Sequence, residues 1–384
     1  MNKKKGFTLI ELLAVIVVLA VITLIATPIV MNTIKNVQKG AAERSSDNYI
    51  DAVETAMATE RLSGNILSGE YIIQADGNLC PTSGCGESDK DKIIIEANGN
   101  KPTSGIVTIS DGQVTTDSIM TIGNYGVGYD DTVKRYTATK LETYNNGEVV
   151  YFNVTTGMKC TSSDYIETQS NTGVKEGCMK FYAFNDNGGV TLNLILDHNT
   201  TATVAWNSSG ISASGPKEVL EQLKTDTKSW QGTITQANYN IDQTDQTSNA
   251  KYIVDYSGYR ARLITSQEVA QITKNKSWNE KTANSLFYLD TNKRDESSTC
   301  KVGNTTRCMY GWLYDRTHAD CTTYGCLNNS DQTTYGYWTI SSRADYSDRA
   351  WRVDCYARLS SDHVDYPRTY GVRPVITVSK IQLR

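Results

Sequence analysis

An apolar run near the N-terminus constrains this chain more than any other feature of its sequence. Three lysines and Gly6 are followed by residues that are almost entirely apolar, from Phe7 to Ile25. At about 1.5 Å per residue, a helix of this length can span a bilayer. Lysines in front of such a helix favour a cytoplasmic N-terminus, so we expect everything after the helix to be exported.

One carboxylate, Glu11, interrupts the apolar run near its start. A charge inside a membrane helix costs about 2.5 kcal/mol or more, so an isolated Glu there needs a physical reason. An ordinary secretory signal has an apolar core of only about 7–15 residues, which is shorter than this run. A plain membrane anchor would account for the length of the run but not for the position of Glu11.

The segment Lys5–Leu12, with its Gly-Phe-Thr-Leu and following Glu, resembles the class III leader of type IV pilins and pseudopilins. The resemblance implies that prepilin peptidase cleaves after Gly6 and that Phe7 becomes the new, usually N-methylated, N-terminus. It also implies that Glu11 pairs with the terminal amine of a neighbouring pilin subunit in a filament. The expected location is a single-pass membrane protein that then reaches the cell surface or a pilus filament.

Helical periodicity continues beyond the apolar run. Pro28 can kink a helix, but apolar residues recur at roughly helical spacing as far as Leu62, with charged residues between them. We therefore predict a leader over 1–6 and one helix over 7–62, of which 7–28 is transmembrane. Short β-rich runs separated by turn residues follow, and they predict an antiparallel β head over 63–145.

The remaining sequence is long enough for a second domain. A polar, turn-rich stretch over 146–177 predicts a linker, and strand-like runs predict a further domain over 178–384. The segments Arg260–Val269 (RARLITSQEV) and Tyr370–Val375 (YGVRPV) resemble parts of formylglycine-generating-enzyme-like domains, which share the C-type lectin fold. The expected fold class is thus α+β: a long N-terminal helix packed on an antiparallel meander, followed by a lectin-like ligand-binding domain.

Nine cysteines all follow the helix, and export would place them in an oxidising compartment where disulfides are expected. Spacing does not prove connectivity, but sequence neighbours suggest four bridges and leave Cys355 unpaired. The four pairs are Cys80–Cys85, Cys160–Cys178, Cys300–Cys308 and Cys321–Cys326. A zinc site is the alternative for the Cys-x4-Cys pairs, but the three histidines are scattered, so neither a metal nor another cofactor is expected.

The segment Ser341–Arg373 differs in composition from the rest of the chain. It lacks Lys, Glu, Gln, Met and Asn, its acids are all Asp and its strong bases are all Arg. This pattern resembles the variable region of proteins diversified by retroelements, in which mutation of adenines converts AAC codons into other NNC codons. Asn, which AAC itself encodes, is absent, and that departs from the family pattern. A compositional fluctuation in a solvated loop is the alternative.

We predict that the polar residues of this segment form one exposed face that binds a surface protein or a glycan, because exposed Tyr, Arg, Asp and Ser suit an adaptable contact surface. The apolar residues Trp351, Leu359 and Val364 should lie beneath it and hold the backbone in place. The predicted ligand-binding residues are Tyr346, Asp348, Arg349, Arg352, Asp354, Tyr356, Arg358, Asp362, His363, Asp365, Tyr366 and Arg368.

The favoured interpretation is a minor pilin or pilin-like surface protein that displays an adhesin-type ligand-binding domain. A pseudopilin of a secretion or DNA-uptake system is one alternative. Loss of the three leader lysines would shift the net charge from −4 to about −7, which argues against a nucleic-acid partner. A formylglycine-generating-enzyme-like enzyme is another alternative, but Cys355 has no close partner cysteine, so we predict neither an enzyme nor catalytic residues.

Overall fold

The computed structural model describes residues 9–82, 85, 92–165, 177–201, 203–234, 239–242, 251–256, 258–275, 278–279, 286–290, 309–314, 335–354, 356–366 and 370–383. The helices are α1 (Leu9–Leu62), α2 (Glu218–Thr227), α3 (Ser266–Ile272) and α4 (Gly311–Tyr314). The strands are β1 (Gly69–Ile73), β2 (Leu79–Pro81), β3 (Ser104–Ser110), β4 (Gln113–Val114), β5 (Ile119–Ile122), β6 (Tyr125–Asp130), β7 (Arg135–Lys140), β8 (Val149–Asn153), β9 (Met158–Lys159), β10 (Cys178–Phe184), β11 (Thr191–Leu196), β12 (Tyr239–Asp242), β13 (Lys251–Val254), β14 (Phe287–Tyr288), β15 (Gly336–Ser342), β16 (Arg349–Asp354), β17 (Arg358–His363), β18 (Tyr370–Gly371) and β19 (Val375–Ser379).

Helix α1 runs from the apolar segment into the first domain without interruption. Pro28 lies inside it, and nearby the hydroxyls of Thr23 and Thr27 donate to backbone carbonyls four residues earlier, at 2.8 and 2.6 Å. By length and composition, α1 is the one helix among the described residues that could cross a membrane, and its apolar N-terminal half is exposed. At about 80 Å, the helix is far longer than a bilayer core of about 30 Å.

The C-terminal half of α1 packs on the first antiparallel sheet, whose strand order is β2-β1-β3-β5-β6-β7, with β4 paired to β3. Tyr49, Val53 and Met57 are buried at four-residue spacing, which places them on one face of the helix. They pack against alternate strand residues such as Val107 and Ile109 of β3. This arrangement of a helix on a meander is the architecture that the sequence predicted.

The second domain includes residues that the sequence assigned to a linker. Its first sheet is antiparallel with the order β19-β11-β10-β8-β9, and β8 and β9 lie within 146–177. The linker prediction is therefore wrong for these residues. Only Val150 and Phe152 of β8 are buried, so the alternating apolar pattern that would predict a strand is very short. The strand conformation of β8 depends instead on its pairing with β10. Cys160, just after β9, is bonded to Cys178 at the start of β10.

The described part of this domain also contains the two-stranded antiparallel sheet β12-β13 and a second five-stranded sheet. Its order is β14-β17-β16-β15-β18, and all its pairs are antiparallel except β15 with β18. One side of this sheet shares a hydrophobic core with the β8–β11 sheet and α2. The other side contributes to a second core with residues of α3 and α4. Because both sides meet a core, the sheet is buried over much of its area and reaches solvent at its ends.

The two segments that resemble formylglycine-generating-enzyme-like domains lie side by side. Arg262 and Val375 exchange two backbone hydrogen bonds of 2.8 Å each. Thr265 caps α3 in a reciprocal capping box with Glu268. The guanidinium of Arg373 is completely buried, and it donates at 2.7–3.0 Å to four backbone carbonyls, those of Leu196, Asp197, Trp312 and Leu313.

Direct contacts also fix the second domain to the first. The buried ammonium group of Lys380 donates to the backbone carbonyl of Glu142, which follows β7 of the first domain, at 2.9 Å, while Asp186 of the second domain holds the same group in an ion pair. The backbone N–H of Val190 donates to the hydroxyl of Thr121 in β5 at 2.8 Å. The side chain of Val190 packs against Gly126 in β6. A Cβ atom at position 126 would lie only 2.9 Å from a methyl group of Val190, so the glycine leaves room for it. The two domains therefore share a packed boundary.

Candidate functional site

Strands β16 and β17 carry six of the twelve predicted ligand-binding residues and present them to both sides of the sheet. Successive side chains of a strand point to opposite faces. The strand register places Arg352, Asp354 and Arg358 on one side and Arg349 and His363 on the other. The prediction that these residues form a single exposed face is therefore wrong. Side chains alternate between the two faces of a strand, so residues that are neighbours in sequence lie on opposite sides of the sheet.

The apolar residues of the segment lie where the sequence predicted. Trp351, Leu359 and Val364 are completely buried. The indole of Trp351 packs edge-to-face on Trp278, with their ring centres 5.3 Å apart. These residues anchor the two strands between the cores on either side, so the polar residues at the strand ends stand on a fixed backbone.

Arg352 and Asp354 are only 7% and 1% exposed, so the prediction that they face solvent is wrong. Asp354 accepts a hydrogen bond from Arg352, and also bonds of 2.9–3.0 Å from Arg358. The Arg352 guanidinium lies 4.4 Å from the centre of the Tyr370 ring and 3.5 Å from the carboxylate of Asp362. Charged side chains can be buried when they are paired with an opposite charge. The ion pair between Arg352 and Asp354 therefore allows both side chains to lie away from solvent.

Two pKa shifts describe the electrostatics of this buried network. Burial raises the pKa of Tyr370 well above its ordinary value. Arg352 opposes this shift, and Asp362, which accepts a 2.9 Å hydrogen bond from the Tyr370 hydroxyl, adds to it. Burial works against the charged form of Arg358, but its hydrogen bonds to Asp354 outweigh that effect and raise its pKa. Tyr370 therefore stays neutral and Arg358 stays charged at any pH near neutrality.

Six of the predicted residues gather at the end of the sheet where β15 leads into β16 and β17 ends. The N–H of Val364 donates to the carbonyl of Asp348 at 2.9 Å, and the N–H of Ser212 donates to that of Ser347 at 2.7 Å. The second bond brings the loop over 207–215 to the same place. We call the exposed and half-buried side chains here the loop-end surface: Ile211, Tyr346, Asp348, Arg349, His363, Asp365 and Tyr366.

Tyr346 is 45% exposed and is held by two guanidinium groups. Those of Arg343 and Arg349 lie 4.5 and 4.9 Å from the centre of its ring. Arg343 is fixed in turn by a bidentate ion pair with Asp345, at 2.5 and 2.9 Å, and by a 2.8 Å hydrogen bond to Ser361. A side chain held in place before binding loses less conformational freedom when it binds. The two guanidinium groups therefore hold the Tyr346 ring in one orientation.

His363 lies between an acid and a base of the loop-end surface. Its Nδ1 is 3.0 Å from a carboxylate oxygen of Asp348, and its Nε2 is 3.3 Å from a terminal nitrogen of Arg349. A neutral imidazole with its proton on Nδ1 satisfies both contacts, because it then donates to Asp348 and accepts from Arg349. This chain of contacts orients Arg349 towards the Tyr346 ring.

Tyr356 is exposed but lies at the opposite end of β16, in the turn to β17. Its ring carries the guanidinium of Arg358, 4.9 Å from the ring centre. At about 3.3 Å per residue, the length of β16 separates this turn from the loop-end surface by about 20 Å. Tyr356 therefore does not belong to the loop-end surface, although it also is an exposed tyrosine stacked with an arginine.

Several predicted residues lie outside the residues that the structure describes. They are Gly6, Phe7, Cys300, Cys308, Cys321, Cys326, Cys355 and Arg368, and the side chain of Glu11 is also outside, although its backbone belongs to α1. The two suggested disulfides that fall within the described part, Cys80–Cys85 and Cys160–Cys178, are both present. In the same part of the chain, no group of three or more His, Cys, Asp or Glu side chains is placed to hold a metal ion.

Sequence reasoning missed the contribution of the loop over 207–215. Ile211 is 50% exposed there, although it is a large aliphatic residue. The run Ser208-Ser-Gly-Ile-Ser-Ala-Ser-Gly215 contains one such residue among small and polar ones, and that isolated isoleucine was the available signal. Its nearness to Tyr346 could not be read from a separation of more than a hundred residues.

Comparison with protein families identifies the N-terminus. Residues 1–27 match the prokaryotic N-terminal methylation motif. The chain has a type IV pilin-like N-terminus. The match spans Gly6, Phe7 and Glu11 together with most of the apolar run, and with the apolar half of α1 it fits a membrane-anchored pilin. Comparison with curated proteins found no match, and comparison with solved structures found none.

Processing at this N-terminus is directly testable. We expect the mature protein to begin at Phe7, because the Lys-Gly-Phe-Thr-Leu spacing places the peptidase site after Gly6. N-terminal sequencing and mass measurement of protein extracted from the membrane would show this, and Gly6→Leu should leave the leader attached. An intact Met1, or cleavage beyond Ala26, in the wild-type protein would contradict the prediction.

Proposed function

We propose that this protein is a minor pilin or pilin-like surface protein whose second domain binds a target outside the cell. The observation that carries the proposal is the loop-end surface, where Tyr346 and Tyr366 are exposed and Tyr346 stacks with Arg349, on a domain joined to a pilin-like helix. Tyr and Arg are the residues most often found at binding hot spots. The proposed partners are other pilin subunits, prepilin peptidase and an extracellular target, and the proposed role involves no catalysis.

We propose a lectin-like fold for the second domain. Its support is that the two resembling segments meet in space, through the paired backbones of Arg262 and Val375. In the second segment, Arg373 ties together β11 and α4 through the carbonyls that accept its hydrogen bonds. Short motifs that are remote in sequence and adjacent in structure support a shared fold better than either motif alone.

Any sequence diversification should be confined to the loop-end surface and the Tyr356 turn. Arg352 and Asp354 are buried and paired, so free variation at these two positions would leave an unpaired charge in the protein. Sequencing of the neighbouring DNA tests this part of the proposal. A near-copy of the coding segment with AAC codons at the exposed positions, beside a reverse transcriptase gene, would support it; AAC codons at positions 352 and 354 would contradict the restriction.

Target binding can be tested with the full-length protein in detergent micelles, applied to an array of glycans and to an array of purified cell-surface and extracellular proteins. We expect binding on at least one array, reduced at least about tenfold by the double substitution Tyr346→Ala/Tyr366→Ala. Tyr356→Ala is the matched control, because it removes an exposed tyrosine stacked on arginine at the other end of β16. No binding, or equal binding by the double variant, would reject the proposal.

Filament assembly provides a separate test of the pilin part of the proposal. We expect Glu11→Ala to be exported and inserted normally but to enter filaments poorly, because the substitution removes the carboxylate that pairs with the terminal amine of a neighbouring subunit inside the membrane. Glu11→Gln should behave in the same way, since it keeps the size and polarity of the side chain but removes the charge. Immunoblots of sheared surface fractions against membrane fractions would measure incorporation, and wild-type incorporation of both variants would contradict the role of Glu11.

A further inference from the structure

We infer that the target of the loop-end surface is a folded protein and that Ile211, which lies outside the compositionally biased segment, completes the binding site. This inference rests on the proposed function and adds the chemical class of the target. It follows from three features of the surface: a shared apolar centre, acids that are already engaged, and one exposed carboxylate at the edge.

The apolar centre combines residues from two separate parts of the chain. Ile211 is 50% exposed, Tyr346 is 45% exposed and Tyr366 is 53% exposed, and all three belong to the loop-end surface. Ser212, the residue after Ile211, uses its hydroxyl to donate to the carbonyl of Tyr346 at 3.2 Å, which holds the two loops together. An exposed aliphatic side chain on the same surface as two exposed tyrosines resembles the aromatic and aliphatic centre of a protein interface.

The carboxylates that could accept sugar hydroxyls are mostly engaged within the protein. Asp345 is occupied by Arg343, and Asp348 is paired with His363. The ring of Tyr346 is also used internally, because guanidinium groups lie 4.5 and 4.9 Å from its centre. A sugar needs free hydrogen-bonding groups and an open aromatic face, whereas a protein can bury the ring edges and the isoleucine side chain. The surface therefore favours a protein.

Charge at the edge of the surface indicates what the partner should carry. Asp365 is exposed, and within the described part of the chain no ion pair involves it. It lies beside the loop of Ile211, with a carboxylate oxygen 3.9 Å from the position that a Cβ would take on Gly210. The complementary partner has an apolar patch with a Lys or Arg next to it, so that the base meets Asp365 while apolar side chains cover Ile211 and the tyrosines.

The test uses the two arrays with two further variants of the full-length protein. Ile211→Ser should weaken binding to the protein array at least about tenfold, and Asp365→Asn should weaken it less and reduce its dependence on salt. Ile66→Ser is the matched control, because Ile66 is also an exposed isoleucine but lies in the first domain. Circular dichroism melting curves should show that all three variants remain folded, as expected for exposed positions.

Each outcome of this experiment decides a different claim. Protein binding that Ile211→Ser weakens and Ile66→Ser does not would support the inference. Binding to glycans alone, with loss in the Tyr346→Ala/Tyr366→Ala variant, would overturn the inference and leave the proposed function in place. Protein binding that is unaffected by Ile211→Ser would overturn the role of that residue. Absence of binding on both arrays would reject the proposed function and the inference with it.

Discussion

Replacement of Trp351 by alanine should lower the free energy of unfolding of the second domain by about 3–5 kcal/mol. The indole is completely buried, packs edge-to-face on Trp278, and lies 5.7 Å from the guanidinium of Arg343. Its removal forfeits the transfer free energy of a large apolar group and leaves a cavity that the two surrounding strands cannot close. Urea denaturation followed by far-ultraviolet circular dichroism measures the effect without relying on tryptophan fluorescence.

The matched control is Tyr356→Ala in the same sheet. Tyr356 is a large aromatic residue, but it is exposed, so we expect the change in unfolding free energy to stay below about 1 kcal/mol. Equal losses for the two variants would mean that Trp351 is not the anchor of the sheet. Because Arg343 contacts both Trp351 and Tyr346, Trp351→Ala should also weaken target binding by loosening Tyr346.

Arg373→Met is expected to destabilise the second domain by at least about 3 kcal/mol. The guanidinium donates to four buried backbone carbonyls, and each buried acceptor left without a donor costs about 1–3 kcal/mol. Methionine keeps part of the side-chain volume, so the loss reports mainly on hydrogen bonds and not on a cavity. The melting temperature from circular dichroism, and the exchange of the β11 and β19 amide protons, would record the effect.

Arg135→Met is the control for this substitution, because Arg135 is exposed at the start of β7 and should change stability by less than about 0.5 kcal/mol. Lysine at position 373 is informative as well. It keeps the positive charge but loses the planar fork of donors, so Arg373→Lys should recover only part of the lost stability. Full recovery by lysine would contradict the importance of the four directed hydrogen bonds.

Features that depend on neighbouring residues in sequence were predictable here. Helix α1 could be followed through Pro28 from its apolar period, and the Thr265–Glu268 capping box could be recognised from residues three positions apart. Both depend on interactions within one or two helical turns, so they form in the same way in many tertiary contexts. The strands around Val107 and Leu194 were also evident, because a buried strand leaves an apolar or alternating pattern.

Features that depend on which side of a sheet meets a core were not predictable. Asp354 and Asp365 have the same side chain in the same biased segment, yet Asp354 is buried between two arginines and Asp365 faces solvent. Strands β8 and β9 escaped notice for a related reason, since their conformation depends on pairing with β10. Composition describes a segment as a whole, whereas burial is decided residue by residue by the neighbouring elements.

The sequence by itself determined the pilin-like N-terminus, the long helix and the α+β character of the chain, because these follow from short-range spacing and apolar periodicity. Only the tertiary structure decided which polar residues of the biased segment reach solvent. It also decided that Ile211 lies beside Tyr346, through the hydrogen bond from Ser212 across 134 residues of sequence. The physical reason is that desolvation and pairing of a side chain depend on partners from remote segments, which no local pattern encodes.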